Sequence, residues 1–441
     1  MATDELLEQA LETARRLGAE QAEAFFTSSE SDSVSFANNR LEGIDSSAAR
    51  GIGIRVFVGG RLGFSSTSIL DRVGDAVAAA VDTARLTPVE ASPFQFPGGG
   101  EIDVDLRDPE VDSVAVEELT ELGRAAVSRL QPMAEGVLAG AGGGRSTADV
   151  QLANSSGLRA RWRRSAWWFS ALAQRVEGTS ILWCYDGDAS ATRDIDPEML
   201  IEATALKLRD SRREGRLPAA KRPIVFTPAA LGSLLGALRI GLSAASIHRA
   251  TSPLTGRLGE PILSPLLTLR DDNRPGSGRG GAPVDDEGVP SSLKTLVEGG
   301  VLRSYLADLR HAARLGVEAG RAGRGGYTTA PSPSTGNWAI EPGNRPLASL
   351  LADAEGGILV DSLMGMHGSN LGNGDFSVTI GLGYALGAGG EKLFRVKDAA
   401  IAGNVYDVLG PRLVGFSREC RRGYSGTDLL PWALIDGVAI A

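Results

Sequence analysis

A long stretch of alternating apolar and polar residues near the N-terminus limits the possible folds more than any other feature of this chain. Between residues 23 and 68 apolar side chains recur at every second position, with breaks at Asn38-Asn39 and Gly59-Gly60. Such alternation places one set of side chains on each face of a strand, and Asn and Gly favour the tight turns of hairpins. The pattern predicts a curved antiparallel sheet.

Amphipathic helices are predicted around this sheet. The first begins at Thr3 or Asp4, either of which can cap it, and stops at Gly18. Two more are predicted over residues 71–86 and 114–130, where apolar residues recur at helical spacing. Their apolar stripes are suited to packing on one face of the sheet.

Glycine and proline divide the following part of the chain. Residues 87–109 are rich in both and predict a connecting loop. The glycines at 140–144 predict a break, after which residues 149–185 predict a meander of strands. The turns of this meander are expected at residues 154–157 and at Gly178.

A change of pattern over residues 215–223 predicts a boundary between two domains. Residues 1–215 would form an N-terminal α+β domain, whose central region starts at about residue 110. Residues 216–441 would form a C-terminal β-rich domain opened by one long helix, which Thr227 and Pro228 begin. The predicted fold class is α+β: a curved antiparallel sheet with packed helices, followed by the β-rich domain.

Composition disfavours several classes of protein. A formal charge of −9 argues against a general nucleic-acid binder, because phosphate contacts need a basic surface. Cys184 and Cys420 are the only cysteines, which excludes a disulfide framework and suits a reducing cytoplasm. The N-terminal residues lack the pattern of a signal peptide. The most apolar segment, residues 229–247, contains Arg239 and predicts a buried helix rather than a membrane span.

Three adjacent carboxylates precede a predicted hairpin in the C-terminal half. Asp285, Asp286 and Glu287 are followed by Gly288 and then by two apolar-rich strands joined by a turn at residues 298–300. Adjacent carboxylates repel one another, so they persist where they cap backbone N–H groups, hold a cation or face basic groups on a partner. A solvated acidic turn is the alternative.

Several residue types at fixed offsets make this stretch similar to a known family. It resembles the PmbA/TldD metallopeptidases, the modulators of DNA gyrase, in its D-D-E-G run, its G-V-L turn and the pair Tyr305-Leu306. Further blocks occur in the family's order along nearly the whole chain. The resemblance makes residues of these blocks candidates for contact with substrate or a partner, and a structural role of the acidic triplet stays open. These candidates are Asp285, Asp286, Glu287, Gly288, Asn337, Asp375 and Asn404.

The catalytic motif of the peptidase branch is missing where the resemblance places it. In that branch the helix opening the second domain carries H-E-x-x-x-H, and a C-terminal cysteine completes the zinc site. Aligned without gaps from Arg249, this chain has Gly236, Ala237 and Gly241 at the motif's His, Glu and His positions. None of the three can bind zinc or act as a base. Cys420 lies a few positions out of register, so the resemblance implies no catalytic residue and no metal in this chain.

Histidines offer one alternative chemistry. His248, His311 and His367 are the only ones in the chain, and no two have the spacing of ligands on one helix. A rearranged metal site would need them to converge with Cys420 and the acidic triplet. A histidine satisfied by an ordinary hydrogen bond is the simpler interpretation of each.

Arginine and tryptophan interleave between residues 159 and 168, a combination that can stack single-stranded nucleic acid. At strand spacing Arg159, Arg161 and Arg163 share one face and Trp162 lies on the other, which is typical of a half-buried sheet or an interface. The Gly-rich segment 276–281 lacks the order of a phosphate-binding loop and predicts a surface loop.

With its catalytic motif missing, the chain is most similar to the PmbA (TldE) branch of the family. The resemblance implies a non-catalytic subunit of a cytoplasmic heterodimer, with zinc in an HExxxH-bearing TldD-like partner, that cleaves peptides or unfolded proteins. This chain would shape the cavity and hold extended substrate at strand edges after residue 260. Two alternatives stay open: a stand-alone metal-dependent peptidase with a rearranged site, and a non-enzymatic regulatory binding protein.

Overall fold

The N-terminal half is built on one mostly antiparallel sheet in the computed structural model, which describes residues 3–178, 180–366 and 370–441. Its strands are β1 (Gln21–Ala37), β2 (Arg40–Val58), β3 (Arg61–Thr67), β4 (Glu101–Leu106), β5 (Val137–Asn154), β6 (Arg159–Glu177) and β7 (Ser180–Ser190). Their order is β3-β2-β1-β5-β6-β4, and β7 also pairs with β6. Only β4 runs parallel to its neighbour among these described strands. The predicted antiparallel sheet is confirmed.

Two tight turns fix the register of the first three strands. Asn38 and Asn39 have φ values of 51° and 66°, and Gly59 and Gly60 have 58° and 69°. Positive φ at both central residues gives a turn whose twist matches that of the flanking strands. The pairs that close the hairpins are Ala37 with Arg40 and Val58 with Arg61. Both turns lie where the sequence predicts them.

Helices cover this sheet at both ends. They are α1 (Thr3–Arg16), α2 (Val73–Leu86), α3 (Pro109–Asp112), α4 (Val116–Leu130) and α5 (Pro197–Asp210). Leu7 of α1 and Val77 of α2 pack with Ile54 of β2 in one apolar core. Leu119 of α4 packs with Trp167 of β6 in a second core. The predicted helices are confirmed, with starts shifted by two residues in α2 and α4.

Two predictions about loops are wrong. Residues 87–109 contain β4, which follows the Pro- and Gly-rich part and pairs with β6 from Glu101 to Leu106. The glycines at 140–144 lie inside β5 and do not interrupt it. Gly144 is needed there because a Cβ atom would come within 2.2 Å of the Trp168 ring. Glycine in a strand can therefore mark a close approach rather than a break.

A larger, mixed sheet forms the C-terminal half. Its strands are β8 (Glu214–Gly215), β9 (Ala220–Phe226), β10 (Leu269–Asp272), β11 (Leu293–Glu298), β12 (Val301–Leu302), β15 (Asn337–Ile340), β16 (Ile358–Met364), β17 (Asp375–Leu386), β18 (Lys392–Val396), β19 (Ala400–Asn404), β20 (Leu413–Arg422) and β21 (Asp428–Ile440). The short pair β13 (Ala322–Gly323) and β14 (Ser332–Pro333) stands apart. In the main sheet the order is β12-β11-β10-β15-β21-β9-β16-β17-β18-β8, with β19 and β20 joined to it through β17 and β21.

One long helix opens this half and is buried in its core. The helices here are α6 (Pro228–Leu242), α7 (Ala244–His248), α8 (Leu309–Leu315), α9 (Leu347–Asp353) and α10 (Val405–Val408). Thr227 caps α6 by accepting a hydrogen bond from the Ala230 N–H at 3.3 Å. Leu234 and Leu238 are fully buried against the sheet. Of the helices that the structure describes, none is long and apolar enough to cross a membrane.

The two halves share apolar cores. Val225, Leu382 and Leu434 of the C-terminal sheet pack in the same cluster as Trp167 and Leu119 of the N-terminal half. A smaller cluster joins Val284, just before the acidic triplet, to apolar residues of β1, β5 and β6. The acidic turn therefore lies at the seam between the halves.

Candidate functional site

The D-D-E-G turn is docked on the N-terminal sheet. Asp285 is 5 % exposed and Glu287 is fully buried. Gly288 has φ 85°, and a Cβ atom at this position would lie 2.3 Å from the Leu158 side chain. Only glycine fits that combination of backbone angle and close approach. The burial contradicts the alternative of a solvated acidic turn.

Asp285 holds the turn together through backbone contacts. Its Oδ1 accepts hydrogen bonds from the N–H groups of Glu287 at 3.0 Å and Val289 at 2.9 Å. Its Oδ2 accepts one from the Ala322 N–H at 3.0 Å. Burial, with the neighbouring Glu287 charge as the second cause, raises the pKa of Asp285 to about 7. One of the predicted roles, capping of backbone N–H groups, is thus what this carboxylate does.

Glu287 belongs to a group of four buried charges that we call the seam cluster: Glu23, Arg55, Glu287 and Arg324. Glu23 and Arg55 face each other across β1 and β2, with 2.8 Å between Oε2 and Nη2. Arg55 also pairs with Glu287, and Arg324 pairs with Glu23. No side chain of the four is more than 3 % exposed. The Arg55–Glu287 and Arg324–Glu23 ion pairs of the cluster connect the N-terminal sheet to the C-terminal half.

The charges of the seam cluster are balanced one for one. Burial alone would raise the pKa of Glu23, but Arg324 and Arg55 outweigh it and the pKa is lowered. Burial likewise opposes the charge on Arg55, yet Glu23 and Glu287 raise its pKa. Removing one member of such a group strands its partner, at a cost of about 3–5 kcal/mol. Burial raises the pKa of Glu287, and the charge of Arg55 offsets part of that rise. We infer that the ion pairs of the cluster fix how the halves meet.

Asp286 is hydrogen-bonded to Arg324, which is also a member of the seam cluster. Its Oδ2 accepts a hydrogen bond from the Arg324 N–H at 2.7 Å, and its carbonyl accepts one from Arg324 Nε at 3.1 Å. Burial raises the pKa of Asp286, and the charges of Arg324 and Arg164 offset part of that rise. All three carboxylates of the triplet therefore have partners inside this chain.

Asn337 organises the Gly-rich segment of residues 273–283. Its Oδ1 accepts a hydrogen bond from the Gly280 N–H at 2.9 Å. Its Nδ2 donates to the Asp272 carbonyl and to Ser277 Oγ, both at 2.9 Å. The predicted surface loop, residues 276–281, is therefore held at Ser277 and Gly280 by one residue of β15, Asn337.

Asp375 and Asn404 lie together in a different place. They face each other across β17 and β19, and Asn404 Nδ2 donates to Asp375 Oδ1 at 2.8 Å. Asn404 Oδ1 accepts a hydrogen bond from the Tyr406 N–H at 2.9 Å and so caps α10. These two candidates position Tyr406 and do not contact the acidic triplet.

Tyr406 occupies the space beside the helix where the family's zinc motif is expected. A Cβ atom on Gly241 would lie 2.2 Å from the Tyr406 hydroxyl oxygen. Burial raises the pKa of Tyr406 to about 12, and within the described residues its hydroxyl has no hydrogen-bond partner. Ala237 is fully buried, whereas Gly236 faces open space. The residues present on α6 therefore do not fit a zinc ion, in donor atoms or in room.

The two described histidines, His248 and His311, do not assemble a replacement site. His248 and His311 lie in edge-to-face contact with 5.9 Å between ring centroids, a proximity that their distance in sequence conceals. His311 Nδ1 is 2.6 Å from Asp308 Oδ1. His367 lies outside the described residues. Within those residues no three His, Cys, Asp or Glu side chains are grouped so that they could hold a metal ion.

The arginine and tryptophan segment is mostly paired inside the chain. Arg159 pairs with Glu8, Arg161 with Asp149 and Arg163 with Asp103. Trp162 and Trp167 are each 1 % exposed, so neither ring is available for stacking on a base. These contacts agree with the interpretation of this segment as a half-buried sheet.

A cavity of about 860 Å³ lies at the seam beside this segment, and we call it the seam cavity. Its walls come from the ends of β6 and β7, the Gly-rich segment, β15 and the β20–β21 turn. Leu293 and Leu429 contribute apolar surface, and Arg164 and Arg279 contribute charge. Cys420, with its side chain partly exposed, also lines it. Four other concave sites are smaller, and the next largest of them has a volume of about 340 Å³.

Sequence reasoning did not single out Arg55, Arg324 or Tyr406. A signal existed for the first, because Arg55 interrupts the apolar run of residues 52–58 and a charge buried there requires a carboxylate. Arg324 lies among the glycines of residues 316–326, which show no periodic pattern. The residues around Tyr406 do not mark it as part of a site. Neither position carries a local signal.

Comparison with known proteins identifies the family. The family description "PmbA/TldA metallopeptidase C-terminal domain" matches residues 219–441, just over half of the chain, and "PmbA/TldA metallopeptidase domain 1" matches residues 22–86. The metalloprotease PmbA homolog of Haemophilus influenzae is 26 % identical over 415 residues, which cover 91 % of this chain and 88 % of that protein. The metalloprotease TldD homolog of the same organism is 31 % identical over 195 residues, which cover 44 % of this chain and 40 % of that protein.

A solved structure confirms the fold. The crystal structure of TldE from Thermococcus kodakarensis superimposes with a TM-score of 0.88, at 24 % identity, over 99 % of this chain and 100 % of that one. The α+β fold class predicted from the sequence is confirmed. On the strength of the matched domains, this chain belongs to the PmbA/TldD family of metallopeptidases.

Proposed function

We propose that this chain is the non-catalytic, TldE-like subunit of a heterodimeric zinc peptidase that cleaves peptides or unfolded proteins. The observation that carries the proposal is that α6 has no zinc ligand at the motif positions. Gly236, Ala237 and Gly241 offer no ligand or base, and the Tyr406 hydroxyl fills the space beside Gly241. In this proposal no cofactor is bound by the chain, and zinc belongs to a TldD-like partner carrying HExxxH.

The extent of the family matches supports the same assignment. Similarity to the PmbA homolog runs along 91 % of this chain, whereas similarity to the TldD homolog covers 44 %. The small number of cysteines is compatible with the cytoplasmic location that we propose. Asp285, Asp286 and Glu287 would act inside this chain, by fixing the two halves in the shape that the partner recognises.

Substrate would be held by pairing with strand edges, which is independent of side-chain identity. At the ends of the C-terminal sheet, β12 and β8 have two residues each, whereas β20 has ten residues and pairs only with β21 among the described strands. A longer edge is found on β2, where residues 40–50 pair with β1 and, in the described structure, have no strand on their outer side. We therefore extend the proposal from the strands after residue 260 to this edge of β2.

Reconstitution with a TldD-like relative tests the proposal. We expect the purified chain alone to bind less than stoichiometric zinc and to leave an unfolded fluorogenic peptide intact, and the mixture to form a complex and cleave it. A partner whose motif glutamate is replaced by glutamine is the control, and should abolish cleavage without preventing assembly. Stoichiometric zinc with peptidase activity in this chain alone, or no complex, would contradict the proposal.

A further inference from the structure

One arginine of the segment at residues 159–168 differs from its neighbours. Arg159, Arg161 and Arg163 project from one face of β6 and each pairs with a carboxylate. Arg164 projects from the opposite face, is exposed and lines the seam cavity. No carboxylate of the described residues forms an ion pair with it. The positive charge of Arg164 lowers the pKa of the buried Asp286, whose carboxylate already accepts a hydrogen bond from the Arg324 N–H.

A second arginine without a counter-ion lines the same cavity. Arg279 stands on the Gly-rich segment that Asn337 anchors, and its Nη1 donates to the Ser425 carbonyl at 2.6 Å. Among the residues that the structure describes, no carboxylate pairs with it. Burial, and after it the positive charge of Arg164, lowers the pKa of Arg279. The two guanidinium groups therefore share a space in which each destabilises the other.

The other charges around the cavity are neutralised. Arg421 pairs with Asp186, and Arg422 pairs with Asp188 and Asp194. Asp428 pairs with Arg239, and Asp272 with Arg274. The unmatched charge is thus the Arg164 and Arg279 pair, in a chain whose net charge is −9. A local positive potential in a partly enclosed site favours an anionic ligand.

We propose that Arg164 and Arg279 bind a carboxylate of the peptide that this chain holds, so that the seam cavity prefers peptides with a free C-terminus or an acidic side chain. Guanidinium groups are suited to this because their planar N–H donors match the two oxygens of a carboxylate. The proposal deepens the proposed function and rests on it for the identity of the ligand. Asn337 is a positioning residue in this scheme, because it holds the segment that carries Arg279.

The surroundings favour a peptide over a nucleic acid as the source of the anion. Leu106, Leu293 and Leu429 line the cavity with apolar side chains, which suit a peptide, whereas a phosphodiester chain needs a continuous basic track. Trp162 and Trp167 of the neighbouring segment are buried and cannot stack on a base, and the partly buried Trp168 is not among the residues that line the cavity. A volume of about 860 Å³ is of the size that accommodates a small ligand or a few residues.

Binding of labelled peptides to the isolated chain tests the inference. Three fluorescein-labelled heptapeptides would be compared by anisotropy: a neutral one with a free C-terminus, the same one amidated, and an amidated one with a central glutamate. We expect both carboxylate-bearing peptides to bind about tenfold more tightly than the neutral amide, as for one charge-assisted hydrogen-bonded contact. Arg164→Gln and Arg279→Gln should each remove most of that difference, whereas Arg163→Gln, on the same strand but paired with Asp103, should preserve it.

A chemical readout on the unmodified protein gives a second test. Cys420 lines the cavity and is partly exposed, whereas Cys184 is buried and burial raises its pKa to about 12. Alkylation by iodoacetamide therefore reports on Cys420, and the free-carboxylate peptide should slow it severalfold while the neutral amide does not. Equal affinity of the three peptides, no carboxylate-dependent protection, or tighter binding of a single-stranded DNA oligomer would overturn the inference. The reconstituted peptidase could still be active in each of those cases, so the two proposals fail separately.

Discussion

The seam between the two halves of this molecule contains arginines in two contrasting settings. In the seam cluster Arg55 and Arg324 face Glu23 and Glu287, and all four side chains are almost completely buried. In the seam cavity Arg164 and Arg279 have no carboxylate partner among the described residues, and the space in front of them is open. The same residue type therefore closes one part of the seam and leaves the other part charged and accessible.

The difference teaches that local charge balance, rather than the presence of charge, distinguishes the two regions. A balanced buried group carries a desolvation cost that the attraction between its members offsets, and the loss of one member leaves a buried charge uncompensated. Unbalanced charges near solvent are tolerated at small cost, and they remain free to interact with something else. We therefore expect mutations in the cluster to affect stability and mutations in the cavity to affect binding.

Replacing Arg55 by methionine should have the largest effect. Arg55→Met leaves Glu23 and Glu287 buried without their shared counter-ion, so we expect the free energy of unfolding to fall by about 3–5 kcal/mol. Urea titration followed by tryptophan fluorescence measures it. Arg216→Met is the matched control, because the Arg216 and Asp398 side chains are 77 % and 61 % exposed and such pairs contribute about 0–1 kcal/mol. Equal losses of stability in the two variants would show that burial of an ion pair does not set its contribution in this protein.

The acidic turn should make stability depend on pH. Burial raises the pKa of Asp285 to about 7, whereas an aspartate in an unfolded chain titrates at about 3.9. Between these values the folded chain binds more protons than the unfolded one, so this group's contribution is full below pH about 4 and is lost as the pH rises to 7. From pH 5 to 8 we expect wild type to lose about 3 kcal/mol more than Asp285→Asn.

Parallel pH series of urea titrations on both proteins measure that difference. Asparagine keeps an acceptor for the N–H groups of Glu287 and Val289 but faces the Ala322 N–H with its amide, so the variant is expected to be less stable at every pH. The informative quantity is the slope against pH, not the offset. Parallel slopes in the two proteins would show that Asp285 is already ionised at pH 5.

Replacing Arg164 should have the smallest effect on stability. Arg164→Met removes an exposed charge that has no ion-pair partner among the described residues. The relief of its repulsion on Arg279 and the loss of its attraction to Asp286 act in opposite directions, so we expect the free energy of unfolding to change by no more than about 0.5 kcal/mol. The replacement is the same as in Arg55→Met, which isolates the effect of the setting. A loss above about 2 kcal/mol would place Arg164 with the structural arginines.

Much of the N-terminal half could be predicted because its signals are local. The turns at Asn38-Asn39 and Gly59-Gly60, and the stripe of α1, each depend on residues close in sequence. Glycine proved ambiguous as a signal. The glycines at 140–144 predict a break, but Gly144 instead lets Trp168 pack closely on β5. The sequence shows where glycine occurs, but it does not show which side chain packs so closely that only glycine fits.

The candidate site could be predicted only in part. The acidic triplet was found from its sequence, but its main counter-ion, Arg55, is 232 residues away from Glu287, and no spacing rule connects them. The pairing of Arg159, Arg161 and Arg163 follows from their shared strand face, whereas the exposure of Arg164 depends on a cavity wall formed by β15 and β20. The domain boundary at residues 215–216 and the roles of the family-motif residues in binding stay predictions.

The Tyr406 hydroxyl beside Gly241 bears on how this lineage can evolve. Restoring two histidines and a glutamate on α6 would also require the Tyr406 side chain to move, because a Cβ atom at residue 241 would lie 2.2 Å from its hydroxyl oxygen. Tyr406 is in turn held by Asn404 and packs against Gly374, where a Cβ atom would lie 2.8 Å from the ring. A zinc site at this place would therefore require coordinated changes on α6 and α10. In the proposed heterodimer, this packing would make the chain depend on its partner for catalysis.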